Sequence, residues 1–464
     1  MSNYLPIYSP FDRSLLAELP LDDWNVIDRR LDEAARLHAE GSPLPKYRRI
    51  EILERLATVM LRERENLARI AVEEGGKPWN DTLVEINRAI QGVKYAITAL
   101  STLSGEEIPM GLTPAAEGKF AVTFREPAGP VLGISAFNHP VNLVIHQAIP
   151  AVAAGCPAII KPALTTPRSC YRIAELLYES GLPEEWCRVI LCDNELTSLM
   201  AADSRISFLS FIGSAQVGWR LRTNLAPGVR CSLEHGGAAP VIIDETADIA
   251  KIAPLLAKGG FYHAGQVCVS VQRVFAPKTR YAELAEAVAA IGDLYTVGNP
   301  LEPATDVGPL ISTSARDKVK EWIEEAVKGG GKIIGNYLEN KGDVPETCLP
   351  PAVMLNPPEQ ARISREEIFG PVIAIYSYDS PDEAIIRANN VKYVFQSAVF
   401  TENLKFAFEA GRRLNATAVI INDHTAFRTD WMPFGGRGVS GEGTGGIGYA
   451  LQDYTNEKML VFSM

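Results

Sequence analysis

The stretch Gly129–Lys161, GPVLGISAFNHPVNLVIHQAIPAVAAGCPAIIK, contains two short apolar runs on either side of a longer apolar segment. The runs 129–135 and 157–161 have the length and composition of buried strands, and the segment between them is long enough for a helix. A strand, a helix and a strand in this order are typical of a parallel sheet covered on both faces. The prolines, histidines and asparagines within the stretch argue against a membrane-spanning helix.

The same alternation continues along the chain and predicts an α/β fold. Further strands are expected at 187–191, 206–211, 239–244, 270–277, 350–355, 369–378 and 418–424. Residues 21–105 have apolar positions at helical spacing, and Gly75 and Gly76 are a helix stop signal. A chain of 464 residues is long enough for two or three domains.

Composition excludes several classes of protein. The net charge of -11 argues against a nucleic-acid partner. The seven cysteines are scattered and form no CxxC pair, which argues against a disulfide framework and against a metal site. The first residues lack the apolar core of a signal peptide, so we expect a cytoplasmic protein with no membrane partner.

One cysteine, Cys268, lies in the turn-like segment AGQVCVS at 264–270. A free cysteine is most often a small core residue that is kept for packing. It becomes a nucleophile only where its surroundings lower the thiol pKa and leave it reachable. The segment by itself leaves both interpretations open.

Three predicted strands are followed by groups that suit ligand binding at the carboxyl edge of a sheet. Lys161 begins KPALTTP and is either a ligand-binding group or a solvated surface lysine. Asn138 in FNHPVN is either an oxyanion donor or a helix cap. The turn FIGSAQVG at 211–218 either approaches a phosphate or is a tight turn without a ligand.

Two acidic segments add a candidate base and a candidate ligand. Glu234 in LEHGGAAP is either a partly desolvated general base or an exposed loop acid. Glu366 and Glu367 in REEIFGPV are either functional or an acidic helix start. The glycine cluster at 433–448 lacks the GK[ST] ending of a phosphate loop.

The order and spacing of FNHP, KPALTTP, FIGSAQVG, LEHGG, GQVC, EEIFGPV and PFGGRGVSG resemble the aldehyde dehydrogenase superfamily. The resemblance covers nearly the whole chain and implies a Rossmann-type cofactor domain, an α/β catalytic domain and a small β oligomerisation element. The expected segments are 1–106 and 127–236 for the first, 237–437 for the second, and 107–126 with 450–464 for the third. It also implies a homodimer or a homotetramer.

The resemblance implies that Cys268 is the nucleophile and attacks the aldehyde carbon. The Asn138 side chain and the Cys268 backbone N–H would hold the oxyanion. Hydride loss to a nicotinamide would leave a thioester, and Glu234 would activate the water that hydrolyses it. A CoA-acylating semialdehyde dehydrogenase and a catalytically retired binding or structural protein are the alternatives.

For the cofactor, the resemblance implies a set of contacts: Lys161, Leu164, Gly213, Ser214, Gly218, Glu367 and Phe369. Many NAD-preferring members have a glutamate where this chain has Leu164. Its absence removes a ribose contact and also removes repulsion of a 2′-phosphate, with Arg168 as a possible neighbour of that phosphate. We therefore expect NAD or NADP, with NADP or dual use favoured.

The substrate side departs from many members of the superfamily. Its candidate residues are His139, His146, Arg428 and Phe434. We expect a small polar or anionic aldehyde, bound partly by Arg428, although that side chain could instead face solvent or pair with Asp430. The sequences around Cys268 and Arg428 are most similar to those of the lactaldehyde-dehydrogenase-like branch. This similarity implies a lactaldehyde-like substrate, and semialdehydes and phosphono-aldehydes are further candidate substrates.

Overall fold

The computed structural model describes residues 4–41, 44–337 and 345–464, so short parts of the predicted segments 1–106 and 237–437 lie outside the described residues. The amino-terminal part consists of an antiparallel hairpin, four helices and two strands. These are β1 (Tyr4–Tyr8), β2 (Leu15–Pro20), α1 (Trp24–Ala39), α2 (Lys46–Arg62), α3 (Arg64–Gly75), α4 (Trp79–Thr102), β3 (Glu107–Ile108) and β4 (Lys119–Pro127). Gly76 has a φ of 72° and ends α3, as its sequence predicts.

The first alternating region forms a parallel sheet in the order β9-β8-β5-β6-β7. Its elements are β5 (Val131–Ile134), α5 (Asn142–Ala154), β6 (Ala158–Lys161), α6 (Pro167–Glu179), β7 (Cys187–Val189), α7 (Asn194–Ala201), β8 (Phe208–Ile212), α8 (Ala215–Thr223) and β9 (Arg230–Glu234). Strands β5 and β6 are buried at every residue, which explains why they read as unbroken apolar runs.

The second alternating region forms a seven-stranded sheet in the order β12-β13-β14-β11-β10-β16-β17, in which only β12 is antiparallel. Its strands are β10 (Pro240–Ile243), β11 (Arg273–Pro277), β12 (Lys332–Ile334), β13 (Ala352–Leu355), β14 (Val372–Tyr378), β15 (Tyr393–Val394), β16 (Gln396–Phe400) and β17 (Ala418–Ile421), of which β15 lies outside the sheet. Its helices are α9 (Ile249–Phe261), α10 (Tyr281–Asp293), α11 (Thr313–Lys328), α12 (Arg362–Arg365), α13 (Pro381–Asn389) and α14 (Leu404–Arg413).

The carboxyl-terminal part returns to the earlier sheets. It contains β18 (Arg437–Gly438), β19 (Gly441–Glu442), α15 (Ile447–Asp453) and β20 (Thr455–Ser463). Strand β19 adds an antiparallel edge to β9, and β18 pairs with β15. Strand β20 pairs along its whole length with β4, which also pairs with β3. The two large α/β sheets and this small β sheet confirm the predicted fold class.

The topology places a crevice between the two large sheets. From β5 the chain runs outward through β6 and β7 and then returns to β8 on the other side of β5. Ligands bind outside the carboxyl ends of strands at such a switch point. The segments that precede β11 and β14 in the second sheet contain Cys268 and Glu367, and both side chains line the same cavity as Asn138, which follows β5.

Among the described residues, no helix is long and apolar enough to cross a membrane. The same part of the chain contains no group of three or more His, Cys, Asp or Glu side chains arranged to hold a metal ion.

Candidate active site

A cavity of about 420 Å³ gathers most of the predicted site residues. The predicted residues that line it are Asn138, His139, Gly213, Ser214, Glu234, Cys268, Glu367, Phe369, Arg428 and Phe434. They come from segments that are far apart in the sequence but meet at the carboxyl ends of β5, β8 and β9, before β11 and β14, and after β17. The predicted motifs therefore converge on a single site.

The loop before Cys268 is held in an unusual backbone conformation. His263, Ala264 and Gly265 have consecutive positive φ angles of 49°, 52° and 67°. A Cβ on Gly265 would lie 2.0 Å from the carbonyl oxygen of Gly370, so only glycine fits there. The buried Gln266 accepts from the Ile311 N–H at 2.9 Å and donates to the Pro309 carbonyl at 3.2 Å.

Asn138 is tied directly to this loop. Its Nδ2 donates to the Gln266 carbonyl at 2.9 Å, and the side chain is buried. An amide nitrogen carries two protons, so a second donor remains for a ligand. The helix cap is supplied instead by Glu85, whose Oε1 accepts from the Val141 and Asn142 N–H groups at 2.9 and 3.0 Å. This arrangement leaves Asn138 available for the cavity.

Cys268 is reachable from the cavity, but its thiol is not acidic in this state. Burial, followed by the charges of Glu367 and Glu234, raises the pKa of Cys268 to about 12, although Arg428 opposes the shift. Five of the other cysteines are fully buried, and Cys231 is half-buried away from the cavity. A thiol of this kind needs a base that takes its proton as it attacks.

Glu234 ends β9 and lines the same cavity as Cys268, so its carboxylate is a candidate for that base. Burial raises its pKa, and Arg428 opposes the shift. A Cβ on Gly445 would lie 2.0 Å from Oε1 of Glu234, so the absence of a side chain at Gly445 provides the space for the carboxylate. A carboxylate with a raised pKa is a stronger base than an exposed one.

Glu367 is a second desolvated acid in the cavity. Burial raises its pKa to about 7, while Lys318 and the Gly237 N–H lower it. Its Oε1 is buried and accepts no hydrogen bond from the described residues. A buried oxygen without a donor is costly unless a ligand supplies one. Its neighbour Glu366 differs, because it pairs with Lys392 at 2.7 Å outside the cavity.

The predicted cofactor residues fit a dinucleotide. Lys161 ends β6, is 5% exposed and donates no side-chain hydrogen bond to the described residues. Burial lowers its pKa, although Cys192 and Asp193 oppose the shift. The hydroxyl of one ribose would accept a hydrogen bond from this ammonium. The hydroxyl of the other ribose would donate a hydrogen bond to the unpaired Oε1 of Glu367. Ser214 precedes the amino end of α8, which suits a pyrophosphate.

Several predicted residues lie outside this cavity. Lys161, at the end of β6, and Leu164, just after it, lie beside the cavity, where Ala163 lines the wall. Gly218 instead permits close packing, because a Cβ there would lie 2.0 Å from Nε2 of His235. The contact of Gly218 with the cofactor stays a prediction. Arg168 pairs through Nη1 with Glu73 at 2.9 Å.

Arg428 lies in the cavity wall rather than in solvent. Its guanidinium carbon is 3.5 Å from the centroid of the Phe434 ring. Its Nη2 is 3.3 Å from Nδ1 of His146, and its Nε is buried without a partner among the described residues. Burial lowers its pKa, although Glu234 opposes the shift. The cation is therefore largely desolvated and stacks on an aromatic face.

His146 does not line this cavity, contrary to expectation. Its Nε2 is 2.8 Å from Oδ1 of Asp430, and its Nδ1 faces Arg428. Asp430 therefore pairs with His146 and with Arg88 rather than with Arg428. By contrast, His139 is at the cavity wall, where its ring lies edge-on to those of Tyr262 and His263.

Sequence reasoning missed Arg88 and Lys318, which also line the cavity. Arg88 lies on α4 and Lys318 on α11, and both occupy positions in ordinary amphipathic helices. Helical periodicity marks such residues as solvent-facing, so the sequence carries no local signal for either. Only the tertiary fold brings them to the site.

The model of the aldehyde dehydrogenase family matches residues 1–460. The chain belongs to the aldehyde dehydrogenase family. Its similarity to a 3-sulfolactaldehyde dehydrogenase of Priestia aryabhattai is 35% identity over 420 residues, which covers 90% of this chain and 87% of the relative.

Two solved structures of aldehyde dehydrogenases are similar over almost the whole chain. Aldehyde dehydrogenase 21 of Physcomitrella patens, in complex with the reaction product succinate, is 32% identical with a TM-score of 0.94 and covers 99% of this chain and 95% of that one. The glyceraldehyde-3-phosphate dehydrogenase GapN of Methanocaldococcus jannaschii, complexed with NADP, is 28% identical with a TM-score of 0.93 and covers both chains fully, at 100% each. This aldehyde dehydrogenase is thus an oxidoreductase that acts on the aldehyde group with NAD or NADP.

Proposed function

We propose that this aldehyde dehydrogenase converts a short anionic aldehyde into its carboxylic acid by hydrolysis of a Cys268 thioester. The observation that carries the proposal is the desolvated Arg428 in the same cavity as Cys268 and Glu234. A buried cation without a carboxylate partner is costly, and an anionic group on the substrate would offset that cost.

In the first step, the Cys268 sulfur bonds to the aldehyde carbon while the thiol proton passes to Glu234. The carbonyl double bond opens, and its oxygen becomes an oxyanion. The free N–H of Asn138 Nδ2 and the Cys268 backbone N–H donate to this oxygen. Two donors placed where charge develops stabilise the transition state rather than the ground state.

A bound nicotinamide supplies the hydride acceptor that oxidation of the thiohemiacetal requires. The chain then holds an acyl group on Cys268, and Glu234 releases the thiol proton to solvent and is ionised again. It removes a proton from a water whose oxygen bonds to the acyl carbon. The carbon–sulfur bond breaks, the acid leaves, and the sulfur regains a proton. The presence of Glu234 favours water over CoA as the acceptor of the acyl group.

For cofactor binding, we propose Lys161 at the adenosine ribose, Glu367 at the nicotinamide ribose, and Gly213, Ser214 and Phe369 around the pyrophosphate and nicotinamide. Leu164 lies three positions after Lys161, where a carboxylate would bind ribose hydroxyls and repel a 2′-phosphate. We therefore propose NADP or dual use.

Leu164→Glu is expected to lower the ratio of kcat/KM with NADP to kcat/KM with NAD by about tenfold, the scale of one charged contact. The physical reason is repulsion between the new carboxylate and the 2′-phosphate. Steady-state NAD(P)H formation with each cofactor measures the ratio. Leu164→Gln has nearly the same size without the charge and is the control. Equal ratios in the two variants would contradict a role for charge at this position.

For the substrate, three similar proteins support a negatively charged group. Their printed names and complexes contain a sulfonate, a carboxylate and a phosphate: 3-sulfolactaldehyde, succinate and glyceraldehyde 3-phosphate. In this chain, Arg428 is the proposed ligand of such a group, with His139 and Phe434 completing the wall. His146 is proposed to position Arg428 rather than to touch substrate.

Arg428→Gln is expected to lower kcat/KM for succinate semialdehyde by about tenfold or more, since it removes a charge-assisted contact. The value for butanal, which lacks the anionic group, is expected to change by less than about twofold. NAD(P)H formation in the steady state measures both. Arg437→Gln, at an exposed arginine of the same carboxyl-terminal part, is the matched control. An equal loss with both aldehydes would contradict the anion site.

We also propose a homo-oligomer. Within the described residues, β20 pairs on one edge only, and it exposes Met459, Leu460, Val461 and Phe462. A long exposed edge strand with apolar side chains is a template for pairing with another chain. The segments 107–126 and 450–464 are the proposed oligomerisation element, while 1–106 with 127–236 would bind the cofactor and 237–437 would carry catalysis.

A further inference from the structure

A second arginine lines the cavity and has no assigned role in the chemistry above. Arg88 projects from α4, and its side chain is 25% exposed. Its Nη2 donates to Oδ1 of Asp430 at 2.8 Å and its Nε donates to Oδ2 at 3.4 Å. Its Nη1 donates to none of the described residues. One face of this guanidinium is therefore fixed, and a donor remains for a ligand.

Asp430 is the scaffold that holds both arginines in place. Its side chain is 3% exposed and is bonded to Arg88, to Nε2 of His146 at 2.8 Å and to Nδ2 of Asn142 at 3.4 Å. Burial alone would raise its pKa, but the His146 hydrogen bond and the charges of Arg88 and Arg428 hold the pKa below its usual value. Asp430 is therefore an anion.

His146 connects this carboxylate to Arg428 without adding charge. Its Nδ1 faces Nη2 of Arg428, which can only donate, so Nδ1 is the acceptor and the ring proton lies on Nε2. That proton is donated to Asp430. Burial and the Arg428 charge lower the pKa of His146 to about 4, so the ring is neutral at physiological pH. The series Arg88, Asp430, His146 and Arg428 is a continuous hydrogen-bonded unit.

The charge of this unit sets the charge of its ligand. Two arginines and one aspartate leave a net charge of one positive unit. Lys318 does not add to it, because its charge interaction is with Glu367. Glu234, which acts on Arg428 by charge but is not hydrogen-bonded to it, adds only further negative charge beside the unit. A ligand with one negative charge would neutralise the unit, whereas a second negative charge would face the fixed carboxylate of Asp430 without a counterion.

We infer that Arg88 and Arg428 together bind the far end of the substrate, and that the site selects a monoanionic carboxylate or sulfonate over a dianionic phosphonate or phosphate. This inference rests on the proposed function and deepens it. Two guanidinium groups supply parallel donors to two oxygens of one head group. Asp430 fixes the orientation of Arg88, and its negative charge opposes a second negative charge on the ligand.

The first experiment tests the role of Arg88. Removing it alone would leave Asp430 buried without its ion-pair partner, so the test variant is Arg88→Gln with Asp430→Asn. Relative to Asp430→Asn alone, we expect kcat/KM for succinate semialdehyde and sulfoacetaldehyde to fall by about tenfold or more, with butanal changed by less than about twofold. Lys94→Gln removes a cation from the exposed face of the same helix and is the control.

The second experiment uses Asp430→Asn alone to test whether the charge of Asp430 causes the selection of a monoanion over a dianion. Asparagine keeps an acceptor oxygen for His146 and Arg88 and removes the negative charge. At about pH 8 a phosphonate is mostly dianionic. We expect the ratio of kcat/KM for phosphonoacetaldehyde to that for sulfoacetaldehyde to rise by about tenfold relative to the parent enzyme.

The outcomes separate the inference from the proposed function. If the parent enzyme does not prefer anionic aldehydes to butanal, the proposed function fails and this inference fails with it. If Arg428→Gln loses the preference but the Arg88 and Asp430 variants match the parent, the proposed function stands and the inference is overturned. The inference is also overturned if the variant with Arg88→Gln loses as much kcat/KM with butanal as with the anionic aldehydes, because Arg88 would then contribute to folding alone.

Discussion

Cys268→Ala is expected to lower kcat/KM by at least about a thousandfold with every aldehyde, because no covalent intermediate can then form. Folding should persist, since the side chain is small and only half-buried. NAD(P)H formation measures activity, and thermal unfolding measures stability. The expected result is a nearly unchanged melting temperature with activity at the background of the uncatalysed reaction.

Cys231→Ala is the matched control for this variant. Cys231 is the only other cysteine of the described residues that is not fully buried, and it does not line the cavity. Its replacement should leave kcat/KM within about twofold of the parent. Substantial residual turnover in Cys268→Ala, or a comparable loss in Cys231→Ala, would refute the assignment of Cys268 as the nucleophile.

Glu234→Gln is expected to separate oxidation from hydrolysis. The amide cannot remove a proton from water, so the steady-state rate should fall by about 100- to 10,000-fold. Water in the cavity can accept the thiol proton slowly in place of Glu234, whereas hydrolysis loses its base, so the first turnover should still release up to one equivalent of NAD(P)H per active site before the reaction stalls. Rapid mixing with fluorescence detection measures this burst.

The pH dependence follows from the direction of the Glu234 pKa shift. Burial raises this pKa above the ordinary value of 4.5. The base works when ionised, so kcat should be lost as pH falls through a pKa higher than that of an exposed glutamate, and this acidic limb should be absent in Glu234→Gln. Glu442 lies on β19, next to β9, and is a partly exposed acid that pairs with Arg222. Glu442→Gln should retain both the rate and the limb.

Much of the fold and site could be predicted because the informative signals are local. Strands such as β5 and β6 are buried on both faces and therefore read as apolar runs. Cys268, Glu234 and Asn138 follow or precede such strands within short polar segments. The fully buried β16 and the amino-terminal hairpin of β1 and β2 were not predicted. The short strands of the hairpin depend on pairing with each other rather than on a strong pattern of their own.

The substrate end of the cavity depends on contacts between distant segments, which local patterns do not report. Arg88 and Asp430 are separated by 342 positions and meet only in the folded chain. His146 was correctly placed near Arg428, but its two nitrogens are occupied by Arg428 and Asp430. Gly218 matches a family motif, yet the space it provides is filled by His235.

The central claim is that the aldehyde carbon becomes bonded to Cys268 and leaves by hydrolysis that Glu234 drives. It is tested most directly by acid-quenching Glu234→Gln after mixing with succinate semialdehyde and NADP, followed by peptide mass spectrometry. We predict that the peptide containing Cys268 gains the mass of the acyl group, and that it does not in the parent enzyme at completion. An adduct on another cysteine, or no adduct despite NADPH release, would contradict the account.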